Sequence, residues 1–366
     1  MKLIHCADLH LDSKLQTWLS EEKAKERRDE LLSNFPRLVE YAHNNGVFGI
    51  LIAGDLYDRN SASKHAENAV MATIAGNRDI MFYYLPGNHD DKCVLTRYKV
   101  MPENLFVFGD RFETLNLNST GSVTLSGVAL TEDNYSSFYD EVMLERDKYN
   151  IVMLHGEEKT GGSAHFEERL DFRLLRNRYI DYLAMGHVHK PVITGLDDRG
   201  VMCYSGCLEG RGFDECGPRG FYLIDIDEYN FRVNYTFVPF ARRKMLEVEV
   251  PCEGCSITED IEQRIEEKLS ETDHTSSDYL KIVLKGRIDA LCEKDIPYLR
   301  KLFEKRAEVV RIEDMTELKV DYDSFKKDMS LKGEFVRLVR NSSCSEADKA
   351  EIIRIGISAL MGEEIT

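Results

Sequence analysis

The sequence predicts an α/β protein with one large domain, a smaller appended α/β domain and helices at its C-terminal end. Three observations support this prediction. The length of 366 residues exceeds that of a usual single domain. Short apolar runs alternate with amphipathic stretches as far as about residue 240, and a shorter alternation of the same kind follows. We therefore expect domains over residues 1–240 and 241–320 and a helical segment over residues 321–366.

Five short apolar runs define the strands expected in the first domain. They cover residues 3–7, 48–53, 81–85, 151–154 and 182–185. Between these runs, apolar residues recur at helical spacing and predict two amphipathic helices. The first helix lies between the first and second runs, with an apolar face of Leu31, Leu32, Phe35, Leu38, Val39 and Ala42. The second lies between the second and third runs, with a face of Ala66, Ala69, Val70, Thr73 and Ile74. Residues 122–129, 200–205 and 220–226 alternate in polarity as strands do, and we expect them in a second sheet.

The region after Pro239 repeats the alternation of strand and helix on a smaller scale. Strands are expected over residues 246–250, 279–284 and 308–312, and helices over residues 256–270 and 294–306. This βαβαβ order is long enough for a small domain. Beyond Lys326, two amphipathic patterns predict two short helices whose apolar faces have no other predicted partner.

Composition and charge argue against several classes of protein. The chain has no apolar run of the ~18 residues that a membrane span needs, and its first residues lack the pattern of a signal peptide. Nine cysteines, an odd number, predict free thiols and a reducing cytoplasm. The net charge of −17 argues against a broad basic face that binds nucleic acid. One alternative concerns Cys252 and Cys255, which form a weak zinc pattern with Cys203 and Cys207.

Polar residues follow each of the five predicted strands. In chain order they are Asp8 and His10, then Asp55 and Asp58, then Asn88, His89 and Asp90, then His155, and last His187 and His189. Ligands of α/β proteins collect beyond the carboxyl ends of the strands. We therefore expect these side chains to converge at one edge of the sheet.

The types of residue at this edge suit two adjacent divalent metal ions. Carboxylate and amide oxygens combined with neutral imidazoles fit Mn²⁺, Fe²⁺ or Zn²⁺ better than Ca²⁺ or Mg²⁺. Asp55 follows the central strand, so its carboxylate is the natural bridge between the ions. Two ions roughly 3.5–4 Å apart can hold a phosphate and activate a water molecule. A lone histidine usually has no metal role, and Asp-x-x-Asp is often a helix cap, but the complete ordered set favours metals.

These motifs together resemble the signature of the metallophosphoesterase superfamily. They are Asp8-x-His10, Gly54-Asp55-x-x-Asp58, Gly87-Asn88-His89-Asp90, His155 and Gly186-His187-x-His189. The resemblance implies an α/β/β/α sandwich. Residues 5–12, 154–156, 184–191 and 204–214 are more narrowly similar to SbcD-type DNA repair exonucleases, in particular to their YhaO-like branch. The similarity covers about residues 1–240, and the βαβαβ unit resembles the capping domain of that family by its order of elements.

The resemblance implies a role for each residue of the motifs. The first metal takes Asp8, His10, Asp55 and His189, and the second takes Asp55, Asn88, His155 and His187. His89 stays unligated and donates a proton to the leaving oxygen, while Asp58 orients its ring. Some nucleases of the family carry histidine at the position of Asp58, so this chain departs from their pattern.

The function expected from the sequence is that of a two-metal DNA exonuclease in the cytoplasm, with manganese as the preferred metal. Candidate contacts to the DNA backbone are Arg59, Arg211, Arg242, Arg243 and Lys244, each of which is alternatively a solvated surface residue. The resemblance also implies a homodimer and an SbcC-like SMC-type ATPase as partner, with the C-terminal helices as the docking element. One alternative is a phosphodiesterase or phosphatase that acts on nucleotides or phosphoproteins. Another is a non-catalytic scaffold, which would normally have lost metal ligands.

Overall fold

The structure is a computed structural model of the chain. It describes residues 1–15, 19–58, 62–90, 101–158, 169–289, 292, 294–320, 322–323 and 325–361. By its internal contacts the chain divides into two compact units. The first comprises Met1–Arg211 and Pro218–Arg242, and the second comprises Gly212–Gly217 and Arg243–Thr366.

The first unit contains a six-stranded sheet built from both ends of its chain. Its strands are β1 (Lys2–Cys6), β2 (Gly49–Ala53), β3 (Met81–Leu85), β4 (Leu105–Val107), β13 (Gly220–Ile226) and β14 (Val233–Pro239). They lie in the order β14-β13-β1-β2-β3-β4, and β1 to β4 run parallel. Helices α1 (Glu21–Asn44) and α2 (Lys64–Gly76) connect these strands, and the hydroxyls of Ser20 and Ser63 cap their first turns.

A second six-stranded sheet completes the first unit. It contains β5 (Glu113–Asn116), β6 (Val123–Gly127), β7 (Tyr149–His155), β10 (Tyr182–Gly186), β11 (Val192–Gly195) and β12 (Val201–Tyr204). The order is β11-β12-β10-β7-β6-β5, with the four inner strands parallel. The short elements α3 (Phe138–Glu141), β8 (Glu157–Glu158), β9 (Arg169–Leu170) and a 3₁₀ turn (Phe172–Leu174) lie between these strands in the chain.

The two sheets pack face to face. Leu51 and Tyr83 of the first sheet share one apolar core with Ile151, Met153 and Ala184 of the second. The other face of the first sheet packs on the predicted apolar sides of α1 and α2, and the other face of the second sheet packs on α3 and the 3₁₀ turn. These layers form an α/β/β/α sandwich, so the predicted fold class is confirmed.

Residues 220–226 lie in the first sheet, so their expected place in the second sheet was wrong. Strand β13 pairs antiparallel with β1, with Leu3 opposite Ile224. The alternating pattern indicates a strand, but it carries no information about a pairing partner more than two hundred residues away. The five strands that end in candidate ligands are likewise divided between sheets. Strands β1, β2 and β3 belong to the first sheet, and β7 and β10 belong to the second.

The second unit has the predicted βαβαβ order. It comprises β15 (Met245–Pro251), α4 (Thr258–Ser270), β16 (Tyr279–Asp289), α5 (Ile296–Phe303) and β17 (Val309–Lys319), and its strands pair in parallel in the order β15-β16-β17. Helix α4 buries Ile261, Ile265 and Leu269, which stand four residues apart on one face. Among the described residues, no helix combines the length and the apolar character that a membrane crossing requires.

The two predicted C-terminal helices are α6 (Leu331–Arg340) and α7 (Glu346–Met361). Val336 and Val339 of α6 pack against Ile353 and Ile357 of α7, and Val320 joins this small core. The expectation that their apolar faces have no other partner was therefore wrong, because the two helices largely cover each other. The apolar side chains that stay exposed in this region include Met329, Leu331 and Leu338.

Candidate metal centre

One group of ligands forms where β1 and β10 end. Asp8, His10 and His189 place their ligand atoms within 4.8 Å of one another. The Nε2 atoms of His10 and His189 are 3.2 Å apart, and Asp8 and His10 are buried. A carboxylate and two imidazoles that face one point are suitable ligands for a divalent metal ion.

A second group forms where β2, β3 and β7 end. Asp8, Asp55 and His155 also place ligand atoms within 4.8 Å of one another. His155 Nε2 lies 3.2 Å from Asn88 Oδ1. The structure thus brings the side chains of Asn88 and His155 together across the two sheets.

The carboxylate of Asp55 joins the two groups. Its Oδ2 lies 3.6 Å from His10 Nε2, and its Oδ1 lies 3.5 Å from His155 Nε2. One carboxylate therefore offers one oxygen to each group, which is the geometry that a bridging ligand needs. The position of β2 inside the first sheet, between β1 and β3, produces this arrangement.

His187 occupies a different place from the other candidates. Its ring meets that of His155 edge to face, with centroids 5.4 Å apart. Its backbone N–H donates a hydrogen bond to Asp8 Oδ1 at 2.9 Å. His187 is absent from the described groups of three whose ligand atoms lie within 4.8 Å of one another. The structure therefore places it beside the second group as a neighbour of His155.

Four of the candidate ligands have a left-handed backbone. The φ angles are 53° at Asp8, 43° at His10, 52° at Asp55 and 95° at His187. Each such conformation costs about 1–3 kcal/mol in a residue with a side chain, and it persists only where the surroundings hold it. Strain of this kind clusters at functional sites.

Two glycines let the backbone approach His155. Gly54 has φ +92°, and a Cβ there would overlap the imidazole of His155. A Cβ on Gly186 would overlap the carbonyl of Ala53 and approach the same ring. His155 Nδ1 can then donate to the Ala53 carbonyl at 2.9 Å. Because that oxygen only accepts, Nδ1 carries the proton of this contact, and in the neutral ring the lone pair that a metal needs is on Nε2.

Burial and neighbouring charges set the protonation of these groups. Burial lowers the pKa of His10 to about 3, and the nearby Arg211 adds to this effect. His10 is thus neutral near pH 7, which is the form that binds a metal. Burial raises the pKa of Asp8. Burial acts in the same direction on Asp55, but the hydrogen bond and charge of His155 prevail and hold the pKa of Asp55 below its usual range.

The donor set fits two divalent cations. The buried carboxylates of Asp8 and Asp55 would carry negative charge next to several imidazoles. Buried charges are expensive unless they are paired or bind metals. Two divalent ions would compensate the charge of these carboxylates.

His89 and Asp58 form a pair next to His10, and the ligand atoms of these three residues also lie within 4.8 Å of one another. His89 Nδ1 lies 3.0 Å from Asp58 Oδ1, and the hydroxyl of Ser13 donates to the other oxygen of Asp58 at 2.8 Å. The hydrogen bond from His89 holds the pKa of Asp58 below its usual range. The backbone N–H of His89 also donates to Asp55 Oδ1 at 2.9 Å. Because Asp58 contacts Nδ1 of His89, the other ring nitrogen, Nε2, can contact a substrate, and the His89 side chain is partly exposed.

The predicted contacts to the DNA backbone differ in their surroundings. Arg211 lies close to the centre, with Nη2 3.4 Å from His189 Nδ1. Arg242 donates from Nε to Asn34 Oδ1 at 3.1 Å. Arg243 donates to the carbonyl of Ser277 at 2.9 Å, and Lys244 pairs with Asp273 at 2.7 Å. Arg59 lies outside the described residues.

The zinc alternative finds no support among the described residues. Cys252 and Cys255 are buried in the apolar core of the second unit, whereas Cys203 lies in the core between the sheets of the first. No described group of potential ligands contains Cys252 or Cys255. Burial raises the pKa of Cys252 to about 12, so its thiolate is disfavoured.

Asp90 is a positioning residue whose role was not predicted from the sequence. Its carboxylate accepts hydrogen bonds from the backbone N–H groups of Leu56, Tyr57 and Gly87 at 3.2, 2.9 and 3.0 Å. Asp90 therefore connects the loop after Asp55 to the loop before Asn88. Its place in Gly-Asn-His-Asp was visible in the sequence, but its backbone partners were not.

Asp90→Asn should lower the stability of the fold, because an amide presents a donor toward backbone N–H groups. We expect a loss of about 1–3 kcal/mol in the free energy of unfolding, measured with urea, and weaker binding of Mn²⁺. Asp79→Asn is the matched control, since Asp79 is an exposed carboxylate that pairs with the exposed His43. Equal stability of the two variants would contradict the role of Asp90.

A buried ion pair positions the loop that carries Arg211. Arg27 is only 1% exposed, and its Nη2 donates to Glu209 Oε1 at 2.7 Å and to the Gly210 carbonyl at 2.9 Å. Asn34 donates to the other oxygen of Glu209 at 3.0 Å. The sequence did not indicate this network, because it joins α1 to a loop 182 residues away. The spacing of apolar residues in α1 indicates a buried side but not a buried arginine.

Comparison with known proteins assigns the class. The model of the calcineurin-like phosphoesterase family matches residues 1–191, which is more than half of the chain. The chain therefore belongs to the calcineurin-like phosphoesterases, a family of hydrolases that act on phosphoesters with two divalent metals.

The relatives include a named nuclease and a DNA repair protein at modest identity. The chain is 26% identical to the uncharacterized metallophosphoesterase YhaO of Bacillus subtilis, over 65% of this chain and 60% of that protein. It is 25% identical to the SbcD component of the nuclease SbcCD of Staphylococcus epidermidis, over 68% and 72% of the two chains. It is 26% identical to the DNA double-strand break repair protein Mre11 of Methanopyrus kandleri, over 72% and 62%. The match thus spans less than two thirds of the first and third of these relatives.

A solved dimetal phosphatase from Danio rerio is also similar to this chain. The two share 9% identity with a TM-score of 0.44, over 64% of this chain and 95% of the other.

Proposed function

We propose that the chain is a two-metal DNA exonuclease of the SbcD type. The observation that carries the proposal is the carboxylate of Asp55, which presents one oxygen to each of two ligand groups. When bound there, two divalent ions would hold the phosphate and activate the attacking water. The names of the relatives from Staphylococcus epidermidis and Methanopyrus kandleri favour DNA as the substrate.

The side chains of the protein have separate tasks in this proposal. Asp8, His10, Asp55 and His189 would hold one ion, and Asp55, Asn88, His155 and His187 would hold the other. His89 protonates the leaving oxygen, and Asp58 keeps its ring in position through the contact at 3.0 Å. Arg211 holds a non-bridging oxygen of the phosphate, as guanidinium groups do.

The mixed oxygen and nitrogen donors favour manganese as the native metal, with iron or zinc as substitutes. By resemblance we also place the protein in cytoplasmic DNA repair, as a homodimer with an SbcC-like SMC-type ATPase. Met329, Leu331 and Leu338 are the exposed apolar side chains of the proposed docking region on and just before α6, with exposures of 94%, 69% and 66%. The domain over residues 241–320 is proposed to select the DNA that enters, and residues 321–366 to bind the partner.

One observation favours a phosphodiesterase or phosphatase for nucleotides or other small or protein phosphoesters instead. The net charge of −17 opposes the approach of a polyanion. The direct test incubates metal-stripped protein with Mn²⁺ and compares linear DNA with bis-p-nitrophenyl phosphate. We expect hydrolysis of both, and turnover of the small ester without DNA cleavage would favour the alternative.

Arg211→Ala should lower kcat/KM on DNA by about tenfold to a hundredfold, which corresponds to the loss of one charge-assisted contact. Metal content should stay at the wild-type level, because Arg211 contributes no metal ligand. Elemental analysis and DNA cleavage at several salt concentrations measure the two quantities.

The triple substitution of Arg242, Arg243 and Lys244 by alanine is the matched comparison. Each of these residues already contacts a partner within the protein. A larger loss of DNA cleavage in the triple variant than in Arg211→Ala would show that the cluster, and not Arg211, contacts the DNA backbone.

A further inference from the structure

A cavity lies beside the metal centre at the ends of three strands. Its volume is about 630 Å³, within the range of small-molecule sites. Asn88 follows β3, Phe108 follows β4 and Leu130 follows β6, and all three line the cavity. Because β3 and β4 belong to the first sheet and β6 to the second, residues that follow strands of both sheets line the cavity.

Asn88 belongs to both sites. Its Oδ1 is 3.2 Å from His155 Nε2, and the residue also forms part of the cavity wall. If a phosphate ester were bound between the two ligand groups, the organic group attached to its phosphate could therefore reach this cavity.

Hydrogen bonds within the protein connect the two loops that form the walls of the cavity. The side-chain amide of Asn134 donates to the carbonyls of Asp110 and Ala129 at 2.7 and 2.9 Å. Asn134 Oδ1 accepts from the backbone N–H of Thr131 at 2.7 Å, and the N–H of Ala129 donates to the Gly109 carbonyl at 2.7 Å. The loops after β4 and β6 thus form one pre-organised wall.

The lining selects the chemistry of the ligand. Val107, Phe108 and Leu130 supply an apolar floor, and the carboxylates of Asp110, Glu132 and Asp133 form the rim. No lysine or arginine is among the described residues of the lining. Three carboxylates repel a phosphate but accept hydrogen bonds from exocyclic amino groups, as they do from cytosine N4.

We propose that this cavity binds the base of a nucleotide whose phosphate lies at the metal centre, with preference for a base that carries an exocyclic amino group. The inference rests on the proposed function, because only a nucleotide substrate brings a base to this place. The flat apolar face of the base would cover the floor, and its amino group would meet the rim.

The test measures binding and does not require turnover. The full-length protein loaded with Mn²⁺ is titrated calorimetrically with deoxycytidine monophosphate, thymidine monophosphate and 2-deoxyribose 5-phosphate. Both 3′ and 5′ nucleotides are used, because the direction of the sugar is not specified by the proposal. We expect one deoxycytidine isomer to bind about tenfold or more tighter than the sugar phosphate, with thymidine between them.

Three variants test whether the nucleotide preference depends on this cavity. Thr131→Trp fills the cavity and should remove the advantage of both nucleotides over the sugar phosphate. Glu132→Gln combined with Asp133→Asn changes only side chains of the rim, and it should remove the preference for cytosine over thymine. Ala75→Trp is the control, since Ala75 lines a separate groove on α2, and it should bind as the wild type does.

Equal affinity of the wild type for all three ligands would overturn the inference, as would an unchanged cytosine preference in both cavity variants. DNA cleavage is measured in parallel. If the protein cleaves DNA but binds all three ligands with equal affinity, the proposed base site is wrong and the nuclease proposal stands. A preference for deoxycytidine monophosphate without DNA cleavage would retain the site and assign it to an enzyme of small nucleotides.

Discussion

Asp55→Asn is expected to be the most damaging single substitution in the protein. The change removes the negative charge that faces both ligand groups, where Asp55 oxygens lie 3.6 and 3.5 Å from two imidazoles. We expect loss of at least one of two bound ions and of activity on every phosphoester. The unfolding temperature should also stop responding to added Mn²⁺, because an ion raises it only by binding the native state.

Elemental analysis and thermal unfolding with and without Mn²⁺ measure these effects. Asp225→Asn is the matched control, since Asp225 is an exposed carboxylate on β13 of the same sheet. Two ions per chain in Asp55→Asn, together with a normal response to Mn²⁺, would exclude a bridging role for this carboxylate.

His89→Ala should separate metal binding from catalysis. General acid catalysis contributes about 10²–10⁴-fold, so DNA turnover should fall within that range while both ions stay bound. A substrate whose leaving group needs no proton, such as bis-p-nitrophenyl phosphate, should lose much less. Asp58→Asn should cause a smaller loss of the same kind, because the contact with His89 Nδ1 orients the ring.

Steady-state kinetics on the two substrates and metal analysis test this assignment. His65→Ala is the control, since His65 is an exposed histidine on α2. A loss of half the metal in His89→Ala would identify His89 as a ligand. Equal losses on DNA and on the activated ester would contradict its role as a proton donor.

The sequence alone was sufficient for the five strands that end in candidate ligands and for the residues that follow them, whereas β4, β5, β11 and β14 were not predicted. Strand formation depends on short apolar runs, and the turn after each strand depends on local residues such as Gly54 and Gly186. Both are properties of a few neighbouring residues. For this reason the ends of β1, β2, β3, β7 and β10 were found close to their observed positions, and so was the order of elements after Pro239.

Only the tertiary structure decided which groups meet across long distances in the chain. Strand β13 lies in the first sheet and not in the second, and the strands that end in candidate ligands belong to two sheets. The apolar faces of α6 and α7 pack against each other. The tertiary structure also revealed the backbone contacts of Asp90 and the pair of Arg27 with Glu209. Local patterns report whether a residue is buried, but a hydrogen bond or an ion pair depends on both partners. The position of the second partner is determined by the packing of the whole domain.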